Sequence, residues 1–422
     1  MDNILLNYGA ERLCVSVPDG NLLGVLEGNF PAAPSETDEI DELKRAMENP
    51  IGTKPLRELA RAGYKAVIMC SDITRPCPSY KLLPALLDEL NAAGVRDADI
   101  TVLFGMGIHR PHTGAERERL AGKAVYGRVR CADSSEGGCK YVGMSSRGTP
   151  YYVNELVTGC DLLICTGNIE YHYFAGYSGG AKAVLPGASD KRTIDRNHSM
   201  LTAPGCGAGL LDGNPVRADI DEITEHVKIG FILNAVLNEN KQILKAFAGD
   251  VIKAHREGCA YLDTVYAKPI TELADVVIAC CGGFPKDINM YQAQKALDNA
   301  RYAVKPGGSI IWVGRCAEGY GEDVFESWVN ESASPQSLTE RIKKEFVLGG
   351  HKAAAIGSVL CAAGVDFVTD MDKKQVERLY IRHYGKDALQ ALIDEKIKAS
   401  GGRATIYVMP QAGSVLPKHQ KK

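Results

Sequence analysis

What this sequence lacks excludes most function classes at once. No apolar run approaches the length of a membrane span; the longest, such as 276–281 and 310–313, are strand-sized. No basic stretch followed by a long apolar run opens the chain, so no signal peptide is expected. Neither sign of charge dominates: 49 lysines and arginines against 52 aspartates and glutamates leave a net charge of −3, with no footprint for nucleic acid or a membrane surface. The thirteen cysteines are scattered, with no CxxC and one adjacent pair, Cys280 and Cys281. That argues against a disulfide framework or a cysteine zinc site and suits reduced thiols in a cytoplasm. There is no HExxH, no internal repeat and no low-complexity segment.

What is present reads as an ordinary globular protein, 45% hydrophobic and 24% charged, whose 422 residues exceed a single core. Short apolar runs such as KAVIMC, ITVLFG and DLLICTG alternate with polar loops and helical patterns, the signature of an α/β protein. Two α/β domains with mostly parallel sheets are expected, with the active site in the cleft between them. Residues 1–268 would carry the cofactor and catalytic histidines, and 274–422 would close over the substrate, with a boundary near Lys268-Pro269. Ser35 or Thr37 is expected to cap the helix that follows, and the basic tail from Pro417 is expected to fray.

In open α/β sheets ligands bind beyond the carboxyl ends of the strands. Three such ends carry polar residues here: Asp72 and Arg75, then His109, then Asn168, Glu170 and His172. The third runs into a glycine-rich turn, Gly176-Tyr177-Ser178-Gly179-Gly180, followed by Lys182 and His198. Glycines let a turn present N–H groups to an anion, so Tyr177, Ser178, Gly179 and Gly180 are candidates to cradle a cofactor phosphate. A lysine just beyond can reach that phosphate or bond covalently to a ligand. In the second half Tyr291, Gln292 and Lys295 follow another strand end, and Gln292 and Lys295 share one helix face suited to a carboxylate.

Three histidines invite a zinc reading, but His109 and His172 come from different loops. Two histidines facing one another also suit inversion of a stereocentre, which needs an acid/base on each face of the substrate. Arg75 and Lys295 could hold a carboxylate meanwhile. The residues thus indicate a two-base site for a small carboxylic acid with a lysine-tethered or phosphate-bearing cofactor. A metal-dependent hydrolase or lyase, or a non-catalytic cofactor carrier, stays open. His112, His226, His255, His351, His383 and His419 read as structural or solvated, with His112 to be watched beside His109.

HRPHT at 109–113, GYSGGAK at 176–182, the His172–Lys182–His198 spacing and YQxxK at 291–295 together resemble the nickel-dependent lactate racemase family. The resemblance covers most of the chain. It implies a 2-hydroxy acid racemase or epimerase, lactate by default, using a nickel-pincer pyridinium mononucleotide made by separate maturation enzymes. It implies a thioamide link through Lys182 and nickel ligation by His198. His109 and His172 would exchange the hydroxyl proton while the α-hydrogen moves as hydride, through a keto-acid intermediate. Arg75, Gln292 and Lys295, with Tyr291 beside them, would hold the carboxylate and ketone, and Asp72 would orient Arg75 or a neighbour. The family's lactate enzymes are expected to shorten the pocket with a bulky aromatic. Residues 349–355 offer small side chains plus His351 and Lys352, which leaves malate, 2-hydroxyglutarate or an aldonate as alternative substrates.

Overall fold

A computed structural model describes residues 3–419 except 346 and 348. The chain forms two compact units, residues 30–264 and, together, residues up to Asn29 with those from Val265 onward. Both are α/β with large, mostly parallel sheets.

In the first unit six strands build the sheet: β1 (Ala66–Ser71), β2 (Ile100–Gly105), β3 (Arg130–Asp133), β4 (Leu162–Asn168), β5 (Ile229–Leu237) and β6 (Ile243–Gly249). Their spatial order is 3-2-1-4-5-6, parallel throughout except for the antiparallel β5–β6 pair. Alternation along β1 explains why both faces are covered. Ala66, Ile68 and Cys70 join one core, and Val67 and Met69 join the other. The first core is closed by the helix Ser79–Ala92, whose Leu82, Leu83, Leu86, Leu87 and Leu90 form a stripe at helical spacing. The second is closed by Val184, Leu185, Val216 and Ile220. Strand order reverses between β1 and β4, and such a reversal opens a crevice at the strands' carboxyl ends.

In the second unit the sheet is entirely parallel, in the order Arg382–Tyr384, Gly364–Val368, Val304–Val313, Ala274–Cys280, Ile406–Met409, Leu22–Val25. Its order reverses between Ala274–Cys280 and Ile406–Met409. The helix Met290–Ala300 follows, started by Asn289, whose side chain accepts from the Gln292 N–H.

The structure departs from the sequence reading in three places. Residues up to Asn29 pack with the second unit, not with 30–264, because Leu22–Val25 pairs with Ile406–Met409. Lys268 and Pro269 lie inside a strand, Ala267–Ile270, and the units divide at Thr264/Val265. That strand pairs with Leu416–His419, so Pro417, Lys418 and His419 are held in a ladder rather than frayed; the last three residues lie outside the described ones. The Ser35 cap forms, with Asp38 completing a capping box. Among the described residues no helix is long and apolar enough to cross a membrane.

Candidate active site

The crevice of the first unit gathers the predicted strand-end residues. Asp72 follows β1 directly and is buried. Its Oδ1 accepts the Thr74 N–H at 2.8 Å and lies 3.2 Å from His109 Nδ1, an ion-pair distance without straight hydrogen-bond alignment. Its Oδ2 lies 3.8 Å from Arg75 Nε. Burial pushes the Asp72 carboxyl up, but His109, the Thr74 side chain and Arg75 outweigh it and bring its pKa down to about 2. Asp72 therefore stays ionised and faces His109 first and Arg75 second.

His109 sits in the loop after β2, and His112 explains why that loop holds its place. His112 is buried; its Nε2 lies 3.1 Å from the Ile73 N–H and its Nδ1 lies 2.8 Å from Asp133. A backbone N–H can only donate, so Nε2 is the acceptor and the proton is on Nδ1, given to Asp133. One neutral histidine thus ties the His109 loop to the residue after Asp72. Sequence position alone placed His112 near the site and could not show this job.

Equivalent reasoning sets the other rings. His172 lies on a two-residue strand, Tyr171–His172, paired with Gly176–Tyr177. Its Nδ1 accepts the Ala175 N–H at 3.2 Å, which puts the proton of the neutral ring on Nε2. His198 ends the helix Lys191–His198 and is buried, with Nδ1 3.2 Å from Asn197 Oδ1. Asn197 donates its amide to the Val216 carbonyl, which turns Oδ1 toward His198 and fixes the His198 proton on Nδ1. Nε2 is then the nitrogen with the lone pair, the form a metal takes. The Phe174 ring meets both His172, at 4.5 Å, and His198, at 5.0 Å.

The glycine-rich turn is built from below. Gly179 and Gly180 have φ of 81° and 62°, and a Cβ on either would meet Asn234 or His255 at 2.9 Å. Gly180 N–H donates to Asn234, and His255 Nε2 lies 2.8 Å from the Ser178 carbonyl. Arg217 and Arg256 approach His255 Nδ1 at 3.1 and 2.8 Å. Arginine only donates, so Nδ1 accepts and Nε2–H holds Ser178. Burial, then Arg217, keeps His255 neutral, well below its ordinary pKa. The Tyr177 hydroxyl bonds Asp263 at 2.8 and 2.9 Å. Arg217, Asn234 and Asp263 escaped the sequence reading because they come from three separate segments with no motif of their own, whereas His255, read as structural or solvated, is structural.

These contacts correct one expectation. The N–H groups of Tyr177, Ser178 and Gly180 donate to Ala175, Glu170 and Asn234, and the Ser178 hydroxyl bridges Asn168 and Glu170. The turn as it stands spends those donors on its own shape, not on a phosphate. What the shape does is present Lys182 from the short turn Gly180–Ala183. Burial, then repulsion from Arg75 and Arg217, lowers the Lys182 amine to about 7 against the opposing pull of Glu170 and Asp72. An amine half-neutral at that pH is a nucleophile. Among the described residues no three His, Cys, Asp or Glu side chains come together as a metal cage, so His109, His172 and His198 do not form one ligand set.

In the second unit Tyr291, Gln292 and Lys295 occupy the first turns of Met290–Ala300, with Gln292 and Lys295 exposed. Lys352 donates to the Tyr291 carbonyl at 2.6 Å and lies 3.9 Å above its ring. Burial, then Lys295, lowers the Lys352 amine to about 7.

Residues 8–209 match the family model described as the lactate racemase N-terminal domain, and 270–416 the lactate racemase C-terminal domain. A lactate racemase of Thermoanaerobacterium thermosaccharolyticum is 35% identical, over 99% of both chains. One of Lactiplantibacillus plantarum is 31% identical, over 98% of this chain and 99% of that one. The structure of the T. thermosaccharolyticum lactate racemase apoprotein superimposes with a TM-score of 0.85 at 33% identity, over 99% of this chain and all of that one. A Thermotoga maritima structure with a TM-score of 0.60 and 18% identity shares the fold.

Proposed function

The chain belongs to the lactate racemase family, and from that premise we propose that it is a nickel-dependent racemase or epimerase of a 2-hydroxy carboxylic acid, lactate by default. The observation that carries the proposal is the group at the switch point of the first sheet. A carboxylate-oriented imidazole and an arginine stand there with a lysine amine lowered to about 7. Lys182 would hold the pincer nucleotide covalently, and His198 would ligate its nickel through Nε2. The donor set suits that group: a neutral amine, and one imidazole whose other nitrogen is already engaged. When bound, it supplies soft sulfur-held nickel and a reversible acceptor for the hydride that leaves C2.

The protein's own part is proton handling and orientation. His109, with Nδ1 toward Asp72, takes the substrate hydroxyl proton at Nε2. Loss of that proton and of the C2 hydrogen with its electron pair leaves a 2-keto acid. On the other face of C2 His172 would handle the hydroxyl proton at Nε2 for the opposite enantiomer, with its Nδ1 releasing the Ala175 N–H when the ring is protonated. Asp72 stabilises the imidazolium that forms on His109. Arg75, Gln292 and Lys295 are assigned to the carboxylate and ketone oxygens, with Tyr291 beside them. Tyr177, Ser178, Gly179 and Gly180 keep Lys182 aimed. The cofactor would come from separate synthesis enzymes.

Protein co-produced with those enzymes should convert either lactate enantiomer to a mixture, followed by chiral chromatography. His109→Ala and His172→Ala should keep the Lys182 adduct and lose about 10²- to 10⁴-fold in turnover. A normal rate in either variant would remove that histidine from the mechanism. No racemisation of any 2-hydroxy acid by nickel-loaded protein would overturn the reading.

A further inference from the structure

In the second unit the helix Met290–Ala300 carries Tyr291, Lys295 and Asp298 along one stripe at helical spacing. Gln292 and Lys295 line a cavity of about 130 Å³ next to Cys281. Lys352, from the helix Gly350–Leu360, acts on the whole stripe. Its Nζ donates to the Tyr291 carbonyl at 2.6 Å, stands 3.9 Å over the Tyr291 ring, and feels the charges of Lys295 and Asp298. The Tyr291 carbonyl is also the acceptor that the Lys295 N–H meets in a helical ladder. The Lys352 bond therefore ends on the turn that presents Gln292 and Lys295.

Lys352 is half-buried, and an apolar side chain would cover the Tyr291 ring without the cost of desolvating an ammonium. Among the described residues no carboxylate lies within ion-pair distance of Lys352 or Lys295. Asp298 Oδ1 instead lies 3.4 Å from Arg301 Nε, and Glu322 caps the helix Asp323–Glu331 through the Phe325 N–H at 2.6 Å. The charge of Lys295 weighs more on the Lys352 amine than that of Asp298 or of Glu322. Among the described residues Pro335–Lys344, the remaining helix packed on Gly350–Leu360, adds no charge to that set. Burial and this repulsion leave the amine at about 7, where a nearby anion decides whether it keeps its proton.

We propose that Lys352 is a positioning residue for the substrate carboxylate: protonated, it anchors the Tyr291 turn and adds a second positive charge beside Lys295, so that carboxylate binding and protonation of Lys352 support each other. This rests on the reading above that Gln292 and Lys295 hold the carboxylate of a 2-hydroxy acid. Loss of the Lys352 proton above about pH 7 removes a charge, so carboxylate affinity falls as pH rises.

The test is calorimetric titration of cofactor-free protein with L-lactate at pH 6 and pH 8, so that no turnover is required. The parent is compared with Lys352→Met and Lys352→Arg, so pH effects that arise in the first unit are common to all three and cancel. For one pKa unit of coupling, the parent should bind about tenfold more tightly than Lys352→Met at pH 6 and only about twofold more tightly at pH 8. Lys352→Arg, permanently charged, should match the parent at pH 6 and bind about fivefold more tightly than it at pH 8. In loaded enzyme the same pattern should appear in KM, with kcat little changed. If Lys352→Met does not fold, the Arg variant at pH 8 decides the matter. A parent-to-Met ratio that is the same at both pH values, an Arg variant no tighter than the parent at pH 8, or no lactate binding by the parent would overturn the proposal. Loaded enzyme that racemises lactate without this pattern removes the role of Lys352 and leaves the racemase reading intact. The predicted ratios in protein that racemises nothing have the converse meaning: the carboxylate seat stands and the racemase reading falls.

Discussion

Asp72→Asn isolates the link between the buried carboxylate and His109. The Asp72 pKa falls from 3.8 to about 2 in the folded protein. That lowering corresponds to about 2 kcal/mol of preference for the ionised form. Because the folded value lies below the unfolded one, this stabilisation is complete above about pH 4 and is lost as pH falls through about 2. Asparagine keeps the shape and an oxygen for the Thr74 N–H but removes the charge. At pH 7 the variant should be less stable by up to about 2 kcal/mol, and the gap should narrow below about pH 4. In the reaction the same charge supports the imidazolium on His109, so turnover should fall by as much as about 30-fold, the rate equivalent of 2 kcal/mol. The assay pairs kcat and KM at pH 7 with urea unfolding at pH 7 and pH 3, and confirms by intact mass that Lys182 is still modified. A kcat within twofold of the parent, with unchanged stability, would refute the coupling. A loss of kcat accompanied by loss of the adduct would place Asp72 in cofactor loading instead.

Lys182 should be acylated by a small anhydride faster than surface lysines near neutral pH, with a rate that is flat above about pH 7 and falls about tenfold for each pH unit below; a rate still rising at pH 9 in peptide mapping would contradict its depressed pKa. His198→Ala should lose nickel and keep the adduct. Asn197→Leu, which removes the acceptor that holds the His198 proton on Nδ1, should weaken nickel retention by about 10- to 100-fold in metal analysis after dialysis, and full retention would discard that role. His255→Leu leaves the Ser178 carbonyl and two arginines without their buried partner and should cost about 3–5 kcal/mol in urea unfolding. His255→Gln, which can both donate and accept, should recover much of it, and equal stability of the two variants would show that the ring's hydrogen bonds do not hold the turn.

Much of this fold was legible because parallel strands buried on both faces are written as short apolar runs. ITVLFG is the strand Ile100–Gly105, and KAVIMC and DLLICTG each miss by one residue. Reading polar residues at their carboxyl ends found Asp72, Arg75, His109 and His172 without knowledge of strand order. Strand order itself was not legible. Leu22–Val25 meets Ile406–Met409 across nearly the whole chain, and no local pattern records such a pairing. The hairpin of Cys139–Met144 and Pro150–Asn154 also went unread, since its first strand is largely exposed and lacks a clean alternation. Asp72 was expected to orient Arg75 or a neighbouring group, and the loop after β2 makes His109 the nearer of the two. The glycine-rich turn looked like a phosphate cradle because sequence shows the donors and not their acceptors. Only the fold reveals that Ala175, Glu170 and Asn234 already use them.

Lys182 and His198 are together assigned to hold a nickel-bearing nucleotide. The most direct test is intact mass, peptide mapping and nickel content of protein produced together with the cofactor-synthesis enzymes. An added mass should map to Lys182, with nickel in proportion to modified protein and lost in His198→Ala. An unmodified Lys182, or nickel bound equally well without His198, would contradict that assignment.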